Sequence, residues 1–271
     1  MSLSVVVVNY NNSRFLRKAL DSVVSQSLRP TEVVVADDCS TDESCAIVAD
    51  YARSYPFVRL HGNIRNMGPA GNRDVGIRAC TSDCFVTLDS DDWFESGALE
   101  AISERLRAGD KNTIVISNFF VVRDETAPPL FTIDTRKYCS IANSKQLFAL
   151  AARKRYMPGN QLAMATDLYR RLGGLNVSLP LYEDWEFMLR ATIAGVTWAH
   201  SGIIAYSYRK SGMGVSSSAK RWAHVRNLLR VAATGCLQSG FDRFVLGGFA
   251  DLVLRKGLMG LMSRRSNVGF N

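Results

Sequence analysis

The stretch "SVVVVNYNNSRFLRKALDSVVSQSLRPTEVVVADD", residues 4–38, sets two runs of mostly β-branched residues around a segment whose apolar side chains fall at 15, 16, 19, 20, 23 and 24. The runs Val5 to Val8 and Val33 to Ala36 are continuously apolar rather than alternating, so each belongs to a strand covered on both faces. The spacing between them predicts one amphipathic helix over 13–27. A strand, a crossover helix and a second strand make a parallel pair. The fold class that follows is α/β, a mostly parallel central sheet with helices on both faces.

Working outward, the pattern continues through residue 122. "STDE" (40–43) has capping-box spacing, Ser40 to Glu43, for a helix through about residue 53. "FVRLH" (57–61) reads as a third strand, and a helix opens after Gly68-Pro69. "DCFVTLD" (83–89) is a fourth strand, "ESGALEAISERLRAG" (95–109) a helix, and "NTIVISNFFVV" (112–122) a fifth strand. Ligands in such sheets bind at the carboxyl ends of the strands. Three of these ends are polar: Asn9-Tyr10-Asn11, Asp37-Asp38 and Asp89-Ser90-Asp91-Asp92. Asp89, Asp91, Asp92 and Glu95 repel one another unless a cation lies between them, so locally this is either a metal site or an exposed acidic turn. Convergence with the other two ends makes it part of a site.

The second half is less regular. A Pro-containing loop covers 125–135, helices are expected over 144–156, 165–175 and 181–195, and strands over 196–200 and 203–209. From 219 onward "AKRWAHVRNLLRVAATGCL" places Trp222, Val225, Leu229 and Ala232 on one helix face. Residues 216–271 read as a C-terminal helical extension.

At 271 residues and 47% hydrophobic, the chain can bury one substantial core, or a core and a smaller appendage. Its net charge, 33 minus 25 or +8, favours acidic partners such as nucleotide phosphates, nucleic acid or an anionic membrane. The arginines are dispersed and the strand ends acidic, which argues against a nucleic-acid partner. "MSLSVVVVNYNNS" lacks the basic start and long apolar segment of a secretory signal, and "FVLGGFADLVL" (244–254) is interrupted by Asp251 and too short to span a bilayer. The expectation is a cytoplasmic protein whose six cysteines, at 39, 45, 80, 84, 139 and 236, are reduced.

Five stretches, "VVVVNYNNSRFLRKALDSVVSQS", "EVVVADDCSTDES", "NMGPAGNRDVGI", "VTLDSDDWF" and "GGLNVSLPLYEDWEFMLR", lie in the order and spacing of one family. The chain resembles a family 2 glycosyltransferase, an inverting nucleotide-sugar enzyme of the GT-A fold. The resemblance runs from residue 4 to about 209 and implies a GT-A domain over 1–215, with a nucleotide-binding half over 1–120 and an acceptor-binding half over 121–215.

Residue by residue, "DSD" matches the DXD motif. The resemblance makes Asp91 the direct metal ligand, Asp89 a ligand of the ribose or the metal shell, and Asp92 a further acidic contact. The implied cofactor is Mn or Mg, which suits hard carboxylate oxygens and binds phosphates as further ligands. Val8, Tyr10, Asp38, Arg73, Asp89 and Arg209 fall on the nucleotide side, and Lys210 stands beside Arg209 in a Gly- and Ser-rich stretch (206–218) sited where relatives have a closing loop. Many relatives carry a metal-binding histidine in that stretch, and this one has none. In "YEDWEF" Asp184 matches the general base, which must take the proton of the attacking hydroxyl. Glu183 and Trp185 would then serve the acceptor, and Gly173-Gly174 match the turn before it. The pattern departs from the family at Cys39, where Gly or Asn is usual, and Cys tolerates positive φ poorly.

The reading is a metal-dependent inverting glycosyltransferase. It would move a sugar from a nucleotide-diphosphate donor, most simply UDP-linked, to a carbohydrate or lipid-linked acceptor in cell-surface polysaccharide or glycoconjugate synthesis. A sugar nucleotidyltransferase would need a Gly-rich triphosphate loop after the first strand, and "NYNNSRF" is not one. A basic nucleic-acid-binding domain would need a clustered cationic face with interleaved aromatics. Residues 219–265, including "RKGLMGLMSRR", are read either as a helical cap on the core or as peripheral contact with an anionic inner membrane face, where lipid-linked acceptors reside.

Overall fold

The computed structural model describes residues 1–141, 143, 146–147, 161–210 and 221–238. The opening stretch folds as its pattern requires: β1 (Leu3–Asn9), α1 (Ser13–Val24) and β2 (Glu32–Asp37), with β1 parallel to β2 in the register Val5 to Val33 and Asn9 to Asp37. Then follow α2 (Ser44–Ser54), β3 (Val58–Gly62), α3 (Gly68–Arg78), β4 (Cys84–Asp89), β5 (Trp93–Phe94), α4 (Ala98–Ala108) and β6 (Thr113–Val122). The second half supplies β7 (Phe131–Ile133), a 3-10 turn (Arg136–Ser140), β8 (Ala163–Ala165), α5 (Thr166–Arg171), α6 (Glu183–Ile193), β9 (Thr197–Arg209) and α7 (Arg221–Gln238).

The sheet order is β3-β2-β1-β4-β8-β6-β9-β5, with β7 added to β6. β3, β2, β1, β4, β6 and β9 run one way, and β8, β5 and β7 run the other. Both faces are covered, as the unbroken apolar runs demand. Val6, Val34 and Phe85 point to one side, where they join Ile77, Leu168 and Phe187. Val5, Val7, Val33, Val35, Val86 and Leu88 point to the other and pack against Leu16, Leu20, Ile47, Leu99 and Ile102. The parallel strands therefore sit in a dry centre and keep their polar residues for the two ends.

The strand-start end is closed by Glu32. Its carboxylate accepts from Ser4 Oγ at 2.7 Å, from Thr81 N at 2.6 Å and from Arg59 at 3.0 Å. Burial pushes the Glu32 pKa up, but these donors outweigh it and hold the group below the ordinary value.

Several expectations change. The capping box of Ser40 and Glu43 does not form, because Ser40 donates its hydroxyl to Asp37 at 2.7 Å and α2 begins only at Ser44. Asp42 instead accepts the first N–H of two helices, Ser44 N at 3.0 Å and Ser13 N at 2.8 Å. The strands expected at 196–200 and 203–209 are one strand, β9, bent at Gly202 (φ +89) where its register with β6 shifts. The loop expected over 125–135 contains β7, and the short strands β5 and β8 carry too few residues to show a period of two. The helix expected over 144–156 lies outside the described residues, apart from 146 and 147. In α7 the exposed Leu229 is not on the packed face. Leu228 and Val231, each 2% exposed, enter the core beside α6, and Arg230 reaches Ser178 O. Over 221–238 the extension is thus a helical cap. No helix among the described residues is long and apolar enough to cross a membrane.

Candidate active site

The carboxyl ends of β1, β2 and β4 lie side by side, as the pairing of Val8 with both Ala36 and Asp89 requires. The floor there is a buried polar lattice. Asn9 donates from Nδ2 to Asp37 at 2.7 Å, and Asn72 of α3 donates to the carbonyls of Asn9 at 3.0 Å and Ala36 at 2.9 Å. Asp38, 2% exposed, accepts from Met67 N at 2.7 Å, Gly68 N at 2.8 Å and Asn63 Nδ2 at 2.9 Å. It therefore pins the start of α3. Cys39 takes the left-handed conformation (φ +64) despite its side chain, and its thiol donates to Asn63 O. Tyr10 is half exposed above this floor, and Val8 is partly buried within it.

The acidic motif is divided by burial. Arg73 takes Asp89 Oδ1 at 2.5 Å. Asp91 is half-buried, and burial first, then the charge of Asp89, raises its pKa to about 6. Asp92 is 1% exposed and turns inward, where Arg209 N (2.8 Å) and Gln161 Nε2 (3.0 Å) bond its two oxygens. Burial, then Asp91 and Asp89, push it well above the usual carboxylate range. Asp91 and the second oxygen of Asp89 are the groups that can turn to a cation. Among the described residues no three His, Cys, Asp or Glu side chains form a closed metal site, and a Mg or Mn ion that takes phosphates and water as its other ligands does not need one. Asp91 and the oxygen of Asp89 not taken by Arg73 offer neighbouring carboxylate oxygens, which suit such an ion.

Arg209 lies beneath this motif. Its guanidinium sits 4.2 Å from the centroid of Phe15 and 5.1 Å from that of Trp93, and its Nε donates to Asp91 O at 3.0 Å. Residues 211–220, including most of the expected closing loop, lie outside the described residues.

The acceptor-side motif opens α6. Tyr182 (φ +66) turns the chain into the helix and holds His224 of α7 through its hydroxyl at 2.8 Å. Trp185 is buried edge-on to Tyr182, with ring centroids 5.3 Å apart. Asp184 stands half-buried on the first turn. Its burial, then the charge of Glu183, raises it to about 7, against backbone N–H groups and Arg73 that pull it down. The turn before it depends on Gly174 (φ +74), where a Cβ would collide with Arg78 and Asp74. Asp74 also accepts from Tyr169 at 2.7 Å, and Arg190 joins Glu186 at 2.7 Å to the carbonyls of Leu172 and Gly174.

Arg73 joins the two halves. It is 6% exposed, with NH1 on Glu183 at 3.1 Å and NH2 on Asp89. Burial alone would lower its pKa, but Asp89 and Glu183 outweigh that and keep it charged. The structure thus gathers Val8, Tyr10, Asp38, Arg73, Asp89, Asp91, Asp92, Arg209, Glu183, Asp184 and Trp185 around the strand ends and the start of α6. It adds Asn63 and Gln161, which lie in none of the quoted motifs, and Asn9, Phe15, Asp74 and Arg190, which lie within them without an assigned role. Asn72 lies beside Arg73 in "GPAGNRDVG".

Comparison with known proteins bears on the family and the fold. An uncharacterized glycosyltransferase of Haemophilus influenzae is 28% identical over 188 residues, covering 69% of this chain and 61% of its own length. The cholesterol galactosyltransferase of Borreliella burgdorferi is 32% identical over 119 residues, 44% of this chain and 33% of its own. The chain therefore spans less than two thirds of either relative. The crystal structure of Staphylococcus aureus TarS 1-349 in complex with UDP-GlcNAc superposes with a TM-score of 0.72 at 19% identity, over 93% of this chain and 72% of that one. That likeness speaks for the fold, the GT-A type of mixed α/β sheet. The model of the family described as glycosyl transferase family 2 matches residues 4–162, more than half of the 271, and the chain belongs to that family.

Proposed function

We propose that the chain transfers a sugar, with inversion, from a nucleoside-diphosphate donor to a hydroxyl of a glycan or lipid-linked acceptor. One observation carries the reading: a half-buried carboxylate, Asp184, raised to about 7 on the first turn of α6, beside a bridge from Glu183 through Arg73 to the acidic motif. A hydroxyl attacking an anomeric carbon must lose its proton, and a base with a pKa near neutrality is suited to take it. A single displacement with one base inverts the centre.

On the donor side, Tyr10, Val8 and Asp38 would hold the base. UDP is the donor nucleotide we favour, since the superposed TarS structures hold UDP and UDP-GlcNAc. Asp91 and Asp89 would hold a Mg or Mn ion, which when bound neutralises charge on the leaving diphosphate. Asp92 then acts from inside, fixing the Arg209 backbone and, through Gln161, the strand-end loop. A cell-surface glycan as product fits relatives such as the succinoglycan biosynthesis protein ExoO of Rhizobium meliloti.

The test is Asp184→Asn, which keeps shape and removes basicity. UDP affinity by calorimetry should persist, while transfer measured by product analysis falls about 10² to 10⁴-fold. Transfer at the wild-type rate would mean a different base.

A further inference from the structure

The arginine of "GPAGNR" makes no contact that spares it for a nucleotide. Its two terminal nitrogens are spent on carboxylates 16 residues downstream and 110 residues downstream. Its Nε is buried with no hydrogen-bond partner among the described residues. Few places in a protein tolerate such an arrangement. A guanidinium 6% exposed is held there by its two carboxylates, and removing it would leave them without a cation between them. The two partners also belong to different working parts. Asp89 ends β4 in the acidic motif, and Glu183 opens α6, one residue before Asp184.

We infer that Arg73 is a positioning residue which ties the acidic motif to the acceptor-side helix, so that the placement of Asp184 depends on the Asp89–Arg73–Glu183 bridge and not on a contact between Arg73 and the donor. The geometry of the surroundings favours this. Tyr182 enters α6 in a left-handed conformation, and Gly173 and Gly174 before it also have positive φ, so α6 is approached through irregular chain rather than through a continuing strand or helix. Arg190 secures the turn from within α6, and Arg73 ties Glu183 of α6 to the end of β4. A lysine could not replace it, because one ammonium cannot pair with two carboxylates in a fixed fork.

The inference rests on the glycosyl-transfer reading, and the experiment separates the two. Wild type, Arg73→Lys, Glu183→Gln and the double variant are compared for UDP affinity by calorimetry and for kcat at saturating donor. Arg73→Lys retains charge and should fold; thermal unfolding of all four proteins checks this. The expected result is a fall in kcat of about 10²-fold in Arg73→Lys, the order that a misplaced catalytic group costs. UDP affinity should change by less than about threefold, the mark of an interaction not made with bound ground-state donor. Glu183→Gln should add little in the Arg73→Lys background, since both break one bridge. A weakened UDP affinity with kcat recovered at saturation would overturn the inference and return Arg73 to direct donor contact. Additive losses would overturn it too. Absence of transfer by the wild type from any sugar nucleotide would instead overturn the glycosyl-transfer reading, and the positioning role with it.

Discussion

If Asp184 is held for chemistry at the expense of stability, neutralising it should make the protein both inactive and more stable, and the gain should depend on pH in a calculable way. The group stands at about 7 in the folded chain against an ordinary 3.8, chiefly because burial disfavours its charge. A folded-state pKa raised above the unfolded one means that the native state binds the extra proton, so stability falls as pH rises from 3.8 towards about 7. At 1.36 kcal/mol per tenfold, the full difference is about 4 kcal/mol, an upper value that solvent relaxation around a half-buried group reduces. Asp184→Asn escapes this penalty. Its Tm should exceed that of the wild type by several degrees at pH 8, at about 2 °C per kcal/mol for a chain of this size, and by little near pH 4.5. The same titration should appear as an acidic limb near pH 7 in kcat/KM of the wild type, since the base must be unprotonated. Scanning calorimetry of both proteins at paired pH values decides it. A variant less stable than wild type at pH 8, or equally shifted at both pH values, would refute the reasoning.

Other outcomes follow from single residues. Asp91→Ala should abolish most turnover and the metal-dependent part of UDP binding with the fold intact; full wild-type activity in EDTA would rule out a role for the cation. Gly174→Ala should cost roughly 2 kcal/mol or more in unfolding experiments, because the new methyl meets Arg78 and Asp74 and the backbone is left-handed there. Cys39→Gly should instead stabilise by up to about 1 kcal/mol by removing a left-handed penalty, and a loss would show that the thiol bond to Asn63 O matters more. We propose that residues 219–265 add contact with anionic membrane; the full chain should then float with vesicles containing anionic lipid, and flotation indifferent to lipid charge would reject this.

The sheet was legible because its strands are uniformly apolar and its helices are striped. Val5 to Val8 and Val33 to Ala36 could be nothing but doubly covered strands, and Leu16, Ala19, Leu20 and Val23 fall on one helical face. What escaped depends on long-range geometry. A two-residue strand such as Trp93–Phe94 has no period to read, and the bend in β9 needs the register of β6 to reveal it. Asp42 rather than Ser40 meets the first N–H of α2 because Asp37 draws the Ser40 hydroxyl to itself, a contest between neighbours that a motif does not record. In the site, the motifs show which residues lie near one another in the sequence, but not which side chains are buried or with which partners they pair. Asp92 lies inside, and Arg73 bridges rather than points outward, since burial and partners become visible only when residues 89, 161, 183 and 209 are brought together.

Glu32 and Asp37 close opposite ends of the same strand, with Val33, Val34, Val35 and Ala36 fully buried between them. Five residues of extended chain separate the two carboxylates by about 16 Å, and none of the donors to Glu32 touches the polar lattice at the other end. Changes at one end should therefore add to changes at the other without interaction. Such a division gives the protein mutational robustness where it is safe to have it. Substitutions among the polar residues at the strand ends that weaken the fold can be compensated around Ser4, Glu32, Arg59 and Thr81 without disturbing the other end, so that end can vary on a separately reinforced scaffold.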